Sequence, residues 1–226
     1  MTQLEQLLSR SISSRYAIQA INLIRQNPRL LAAQIWHNYT PLQMAAHHGY
    51  VEMADQLQAA GAKLDLISAI YLARVDLVRT LVERNPVLLR KHAPCGLSPL
   101  HIAAAYGPPL EMVQVLLSLG ANVNDANNNS RRTPLFLACT KPYEKAEFLL
   151  VYGADIQAQD KHGFTVLHNA AIYGDEELVD LLLRHGADLD AQTEGRQTPW
   201  ALAVRWKHDA IAQRLWLASK PKGCRS

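Results

Sequence analysis

Apolar residues in this chain come in short bursts at helical spacing, and each burst ends on glycine or a polar turn. From residue 165, Leu167, Ala170 and Ala171 fall at i, i+3 and i+4, one face of a short helix. Leu178, Val179, Leu182 and Leu183 repeat the 3–4 spacing a few residues later. Gly174 between them can supply the left-handed conformation that closes a helix, and Gly186 ends the second burst. The pattern predicts two short antiparallel helices. The adjacent alanines keep the first helix thin, so a neighbouring pair can stack closely.

The same pattern recurs. SPLHIAAAYG at 98 is echoed by TPLQMAAHHG at 40, TPLFLACTKP at 133, TVLHNAAIYG at 165 and TPWALAVRWK at 198. The starts 98, 133, 165 and 198 are 35, 32 and 33 residues apart. Four units also carry a Gly-Ala ending: AAGAKLD, SLGANVN, VYGADIQ and RHGADLD. The copies at 40 and 98 are 58 apart, and LISAIYLARVDLVRTLVERNP from 66 supplies a unit between them. Thr40, Ser98, Thr133, Thr165 and Thr198 each stand where a hydroxyl caps a helix N-terminus. Proline follows in four of the five, at the position where its missing N–H costs nothing.

Asp-x-x-Gly-x-Thr-Pro-Leu-His-x-Ala-Ala-x-x-Gly, then a Val/Leu-rich helix and Gly-Ala-Asp, resembles the ankyrin repeat. Residues 160–190, DKHGFTVLHNAAIYGDEELVDLLLRHGADLD, match it almost throughout, departing mainly at Val166. The resemblance covers about 36 to 217. It implies an all-α ankyrin-repeat solenoid of stacked helix-turn-helix units joined by short β-hairpin loops. It also implies a protein-binding module whose concave face, formed by hairpins and first helices, meets the partner.

The departures set the expected boundaries. Residues 1–35 read as a degenerate N-terminal cap, 36–65 as the first repeat and 66–94 as a degenerate second. Residues 95–127, 128–159 and 160–192 form the third to fifth repeats. Residues 193–218 are a C-terminal capping repeat, and 219–226 a basic disordered tail. Between Asp65 and Leu66 there is no room for a hairpin, so Asp65 caps the next helix directly. AINLIRQNPRLL and the second repeat share an Asn-Pro-x-Leu-Leu ending in place of Gly-Ala. The fourth repeat begins with the polar DANNNSRR and replaces its mid-unit glycine with Lys141-Pro142. The last has Arg205-Trp206-Lys207 there, with more outward charge, as a terminal repeat facing water requires.

Composition narrows the function classes. The chain has 226 residues, 49% hydrophobic, and a formal net charge of +3, too slight to signal a nucleic-acid binder. Both ends are mildly basic: Arg10, Arg15, Arg25 and Arg29 at one, Lys220, Lys222 and Arg225 at the other. Three widely spaced cysteines, Cys95, Cys139 and Cys224, do not form a disulfide framework and fit a reducing compartment. No apolar run approaches the roughly 18 residues of a membrane span. The start lacks a secretory apolar core. A cytoplasmic monomer is the expectation.

Candidate chemistry is sparse. Cys95, Ser98 and His101 lie within seven positions, a spacing that invites a nucleophile and base. The His101 position, however, is Gln43, Phe136, His168 and Ala201 in the other copies, and the Ser98 position is threonine in all four. Capping explains the hydroxyl, and local bracing explains the histidine. His92, Cys95 and His101, or the pair His47 and His48, lack the paired four-ligand spacing of a zinc site. Neither a catalytic site nor a cofactor nor a metal is predicted.

The surface a stacked array would display is more informative. Hairpin tips and the exposed positions before each mid-unit glycine give Trp36, His37, Tyr39, His47 and His48, then Leu97 and Tyr106. Further along they give Arg131, Arg132 and Lys141, His162, Phe164, Ile172 and Tyr173, and finally Arg205 and Trp206. Aromatics make up only 7% of the chain, yet this set is rich in them and in arginine, as interface centres are. The set reads either as one exposed partner-binding stripe or as rings packed between repeats. Trp200 and Trp216 fall on core-facing phases and are expected in the core. The functional expectation is a non-catalytic module that docks a partner protein. The alternatives are a nucleic-acid-associated protein, which the charge balance disfavours, and an exported effector or inhibitor.

Overall fold

The computed structural model describes residues 2–14, 16–105, 107–127 and 129–219, with Trp36 described in its backbone only. Its α-helices are α1 Gln3–Ser13, α2 Ala17–Gln26, α3 Pro41–His47, α4 Val51–Ala59, α5 Leu66–Tyr71, α6 Val75–Arg84, α7 Pro99–Ala104 and α8 Leu110–Ser118. They continue as α9 Pro134–Ala138, α10 Glu144–Val151, α11 Val166–Tyr173, α12 Glu176–Arg184, α13 Pro199–Arg205 and α14 Asp209–Ser219. The two Asn-Pro-x-Leu-Leu endings form 3-10 turns, Pro28–Ala32 and Pro86–Arg90. Among the described residues none is in a strand; the loops between units are tight turns. Ser219 belongs to α14, and the rest of the basic tail lies outside the described residues.

The chain forms two compact units, one of residues up to 103 with 107–121, the other of Ala104, Ala105 and residues from 122 onward. In the first, α1 packs on α2, α3 on α4 and α5 on α6; α3 also meets both α1 and α5. In the second, α9 packs on α10, α11 on α12 and α13 on α14, and α11 lies against α13. These are helix pairs that the sequence pattern predicts.

Capping follows the sequence closely, with one exception. Thr40 Oγ1 accepts from the Gln43 N–H at 3.2 Å while Gln43 Oε1 accepts from the Thr40 N–H at 2.9 Å, a reciprocal capping box. Thr165 makes the same box with His168. Asp65 Oδ1 accepts from the Ser68 N–H at 2.8 Å, so α5 starts without a preceding turn, as expected. Thr133 departs from the pattern. Its residue three positions on is Phe136, which cannot accept, and its own hydroxyl is buried without a hydrogen-bond partner.

Packing uses the alanine pairs to bring helices together. Ala45, Ala46, Ala103, Ala104, Ala170 and Ala171 are all at most 1% exposed, as are the leucines of the same face, Leu42, Leu100, Leu135 and Leu167. Burying such leucines contributes about 1.5–3 kcal/mol each. In the second unit the turns are also tied from one repeat to the next. The Lys161 N–H donates to Ser130 O at 2.9 Å, and the Glu194 N–H to His162 O at 3.0 Å. On the far side, the Asp155 N–H donates to Asn124 Oδ1 at 2.7 Å and the Asp188 N–H to Gln157 Oε1 at 3.0 Å.

Candidate functional site

The turn at 160–164 shows how a repeat presents side chains. The Asp160 N–H donates to Phe164 O at 2.8 Å, and Asp160 Oδ1 takes the N–H groups of His162 and Phe164 at 2.9 and 3.1 Å. Asp160 Oδ2 pairs with Arg132 at 3.2 Å. Gly163 holds the tip at φ 80°, where a Cβ would lie 2.9 Å from the Glu194 backbone nitrogen. His162 is thereby held out in solvent, and Phe164 lies half-buried against the edge of His168 with ring centroids 5.8 Å apart.

At the other end of the first helices the second unit displays its largest rings. Tyr173 is 80% exposed and Trp206 55% exposed, at corresponding positions of adjacent repeats. Their turns interlock, because His208 Nε2 hydrogen-bonds Ile172 O at 3.0 Å and the His208 ring fills the space above Gly174. Arg205 is exposed beside Trp206, and Ile172 is half-buried. Arg131 is exposed at φ 58°, whereas Arg132 is half-buried, held by Asp160 and placed over the Phe136 ring at 5.8 Å. Lys141 is exposed and paired with Glu177 at 2.8 Å, a bond that holds its ammonium pKa above the usual lysine value.

In the first unit three of the predicted positions, Tyr39, His47 and His48, form a compact cluster with Tyr50 and Tyr71. Tyr39 is only 2% exposed, so it is a packing residue and not part of an exposed stripe. Its ring lies 5.6 Å from that of His47, which meets Tyr71 edge-on at 5.0 Å and His48 at 5.3 Å. His48 stacks on Tyr50 at 5.4 Å. Burial, with a smaller contribution from His48, lowers the His47 pKa. Burial pushes the Tyr71 hydroxyl up to about 12 and, together with a hydrogen bond to Cys95, raises that of Tyr39 further. His37, His47 and His48 are exposed and Leu97 is half-buried. Tyr106 lies outside the described residues, as does the side chain of Trp36.

The structure corrects the sequence expectation at two tryptophans. Trp200 is 45% exposed and Trp216 50% exposed, although the helical phase places both toward a core. Trp200 occupies the position of Leu167, and Val204, 48% exposed, that of Ala171. α11 has α13 stacked against it, whereas α13 is followed only by its own partner α14 among the described helices.

The Ser98–His101 pair has the distances of a nucleophile and base, with Ser98 Oγ 2.7 Å from His101 Nδ1. It cannot receive a substrate, because Ser98 is 1% and His101 0% exposed. Nδ1 also takes the Ser98 N–H at 3.3 Å, so the ring is a capping-box acceptor. His168 does the same at Thr165 and additionally reaches Gln197 O in the next repeat at 3.0 Å. Among the described residues no three His, Cys, Asp or Glu side chains converge as metal ligands, and no helix is long and apolar enough to cross a membrane.

Comparison with known proteins matches this arrangement. The ankyrin repeat model matches residues 37–69, and the model for three ankyrin repeat copies matches 66–160 and 142–223. A Caenorhabditis elegans homolog of transient receptor potential cation channel subfamily A member 1 is 32% identical over 184 residues, 77% of this chain and 15% of that protein. The Drosophila melanogaster channel of that name is 30% identical over 59% of this chain and 12% of its own length. Human ankyrin repeat and SOCS box protein 16 is 31% identical over 58% of the chain and 30% of its own length. The chain thus spans under a third of each of these relatives.

Proposed function

The chain belongs to the ankyrin repeat family, and we propose that it is a non-catalytic cytoplasmic module that docks a partner protein on the turn tips and the ends of its first helices. Ankyrin repeats generally serve as protein–protein interaction modules. The observation that carries the reading is the pair Tyr173 and Trp206, large rings left in solvent on helices whose turns are locked together. A surface held this way loses little conformational freedom on binding, so a few rings and Arg205 can supply the affinity. The cations Arg74, Arg132, Lys141 and Arg214 are each paired with carboxylates, which favours a protein partner over a phosphate backbone.

The test is affinity capture from the native extract with the wild-type chain beside a Tyr173→Ala/Trp206→Ala double variant. Both side chains are exposed, so the variant should keep its helical circular dichroism and melting temperature. It should lose the captured protein. A folded double variant that captures as well as wild type refutes this binding surface, and retention of nucleic acid in place of protein refutes the partner class.

A further inference from the structure

The turn tips of the second unit carry charge at a position where the backbone opposes a side chain. Residues 127–132, 160–164 and 193–197 form successive turns, and in each the tip residue returns its N–H to the turn's first residue. Arg131 donates to Asn127 O at 3.0 Å, Gly163 to Asp160 O at 3.0 Å and Arg196 to Thr193 O at 2.8 Å. Gly163 suits the position, because φ is 80° there. Arg131 and Arg196 hold the same left-handed conformation at φ 58° and 55°, which a residue with a Cβ adopts only against a steric cost. Glycine would form either turn more easily. Both arginines are exposed, and no ion pair among the described residues accounts for them.

Lys161, exposed and equally unpaired, stands on the middle turn between them. The backbone bonds from Lys161 N–H to Ser130 O and from Glu194 N–H to His162 O tie the three turns into one edge. The acids of this edge are mostly occupied. Asp160 holds Arg132 and the N–H groups of His162 and Phe164. Asp125, half-buried, lies two residues before the first turn. Glu194 is exposed, with its carboxylate 3.7 Å from His162 Nδ1. The tips thus present three unpaired cations, Arg131, Lys161 and Arg196, and one exposed acid.

Spacing selects what such an edge can hold. Stacked helices lie about 8–10 Å apart, and an extended chain advances about 3.3 Å per residue. Neighbouring tips are therefore matched by every third residue of an extended segment. A phosphate backbone fits less well, because its unbroken charge would also fall on Glu194, where a peptide can place an uncharged residue. We infer that the partner lays an acidic extended segment across these tips, with Asp or Glu at every third residue reaching Arg131, Lys161 and Arg196. A guanidinium can take a carboxylate through two parallel N–H donors. The inference rests on the protein-docking reading above and adds the chemistry of the partner.

The experiment titrates the full chain at low salt with a short synthetic peptide, glutamate at every third position and serine and alanine between, while amide shifts are followed by NMR. A peptide with glutamine for glutamate, an isomer with its glutamates adjacent, and oligothymidylate are run in parallel. Exposed ion pairs are individually weak, so binding should be on the order of millimolar. Its shifts should centre on Arg131, Lys161, Gly163 and Arg196 and fade at high salt. The glutamine peptide should leave these amides unmoved, and the adjacent isomer should bind several-fold more weakly. Arg131→Gly/Arg196→Gly removes both guanidiniums and relieves the backbone, so it should lose the shifts yet melt at or above the wild-type temperature. Glu194→Gln should tighten binding several-fold. Equal binding of either control peptide, tighter binding of oligothymidylate, shifts that persist in the double glycine variant, or no shifts in the wild type each overturns the inference. A double glycine variant that melts well below wild type also overturns it, because the arginines then serve the turns themselves. If that variant captures the native partner as wild type does while Tyr173→Ala/Trp206→Ala does not, the acidic-segment assignment fails and the docking reading stands.

Discussion

Removing the same hydroxyl from two equivalent helix starts should have opposite consequences. Thr165 is 2% exposed, and its Oγ1 lies 2.9 Å from His168 Nδ1 and 3.5 Å from the His168 N–H. Thr165→Val keeps the shape, deletes the cap and strands the buried His168 N–H, while His168 Nδ1 keeps the residue-165 N–H at 3.1 Å. Loss of a cap costs about 0.5–2 kcal/mol and an orphaned buried group about 1–3. The 3.5 Å bond is long, so a total of about 2 kcal/mol is expected. Thr133 is 5% exposed, but its hydroxyl has no partner. Thr133→Val therefore removes a desolvated group that gains nothing, and should be neutral or stabilise by up to about 1 kcal/mol. Phe136→His restores the acceptor three residues on and should make Thr133→Val costly in that background. Urea denaturation followed by circular dichroism measures all four variants, read as midpoint shifts at constant slope. If Thr133→Val destabilises as much as Thr165→Val, the side-chain account of these caps is wrong.

Other expectations rest on single groups. Burial lowers the His168 pKa, with its hydrogen bond to Gln197 O opposing, and His47 is shifted the same way. The fold thus favours the neutral rings, while the unfolded chain takes up protons below the ordinary histidine value of about 6.5. Stability should be full above that pH and fall as pH drops through it toward the lowered folded values, by at most about 1.4 kcal/mol per pH unit per ring. His168→Gln installs the residue that the first repeat carries at Gln43, and should flatten this dependence in denaturant titrations; an unchanged slope would contradict it. Gly163→Ala should lower the melting temperature far more than Gly186→Ala. Both have positive φ, but a Cβ meets the Glu194 backbone at 2.9 Å in the first and nothing within 4 Å in the second. Burial, with Asp175 adding, pushes the Cys139 thiol up to about 12, so at pH 8 a thiol reagent should label it only on unfolding. Rapid labelling of folded protein at Cys139 would refute that placement.

The periodic part of this fold was legible because it depends on local signals. Cap, proline, alanine pair and glycine each act within one helix, and the helices formed where those signals stand. What could not be read were properties owned by a neighbour. Tyr39 stands at a turn position that is half-buried in the other repeats, yet it is fully covered, by His47 and by Tyr71 of the next repeat. Its burial depends on a side chain 32 residues away. Trp200 fails in the opposite sense: its phase matches that of a buried leucine, but no described helix lies over it. A one-helix periodicity carries no information about what stacks on that helix.

The residue three positions into each first helix shows how far that dependence extends. As His168 it satisfies its own cap and a carbonyl of the next turn, so one ring joins two repeats. As Gln43 it satisfies its own cap and, with no next turn, a carboxylate. As Phe136 it does neither, and the cap hydroxyl goes without a partner. At two joints the stacked apolar faces are thus joined by a polar contact that the neighbours complete differently, and at Phe136 that contact is missing. Where the neighbour's turn is missing, as at the start of α5, the Asp65 carboxylate takes that contact while also capping its own helix.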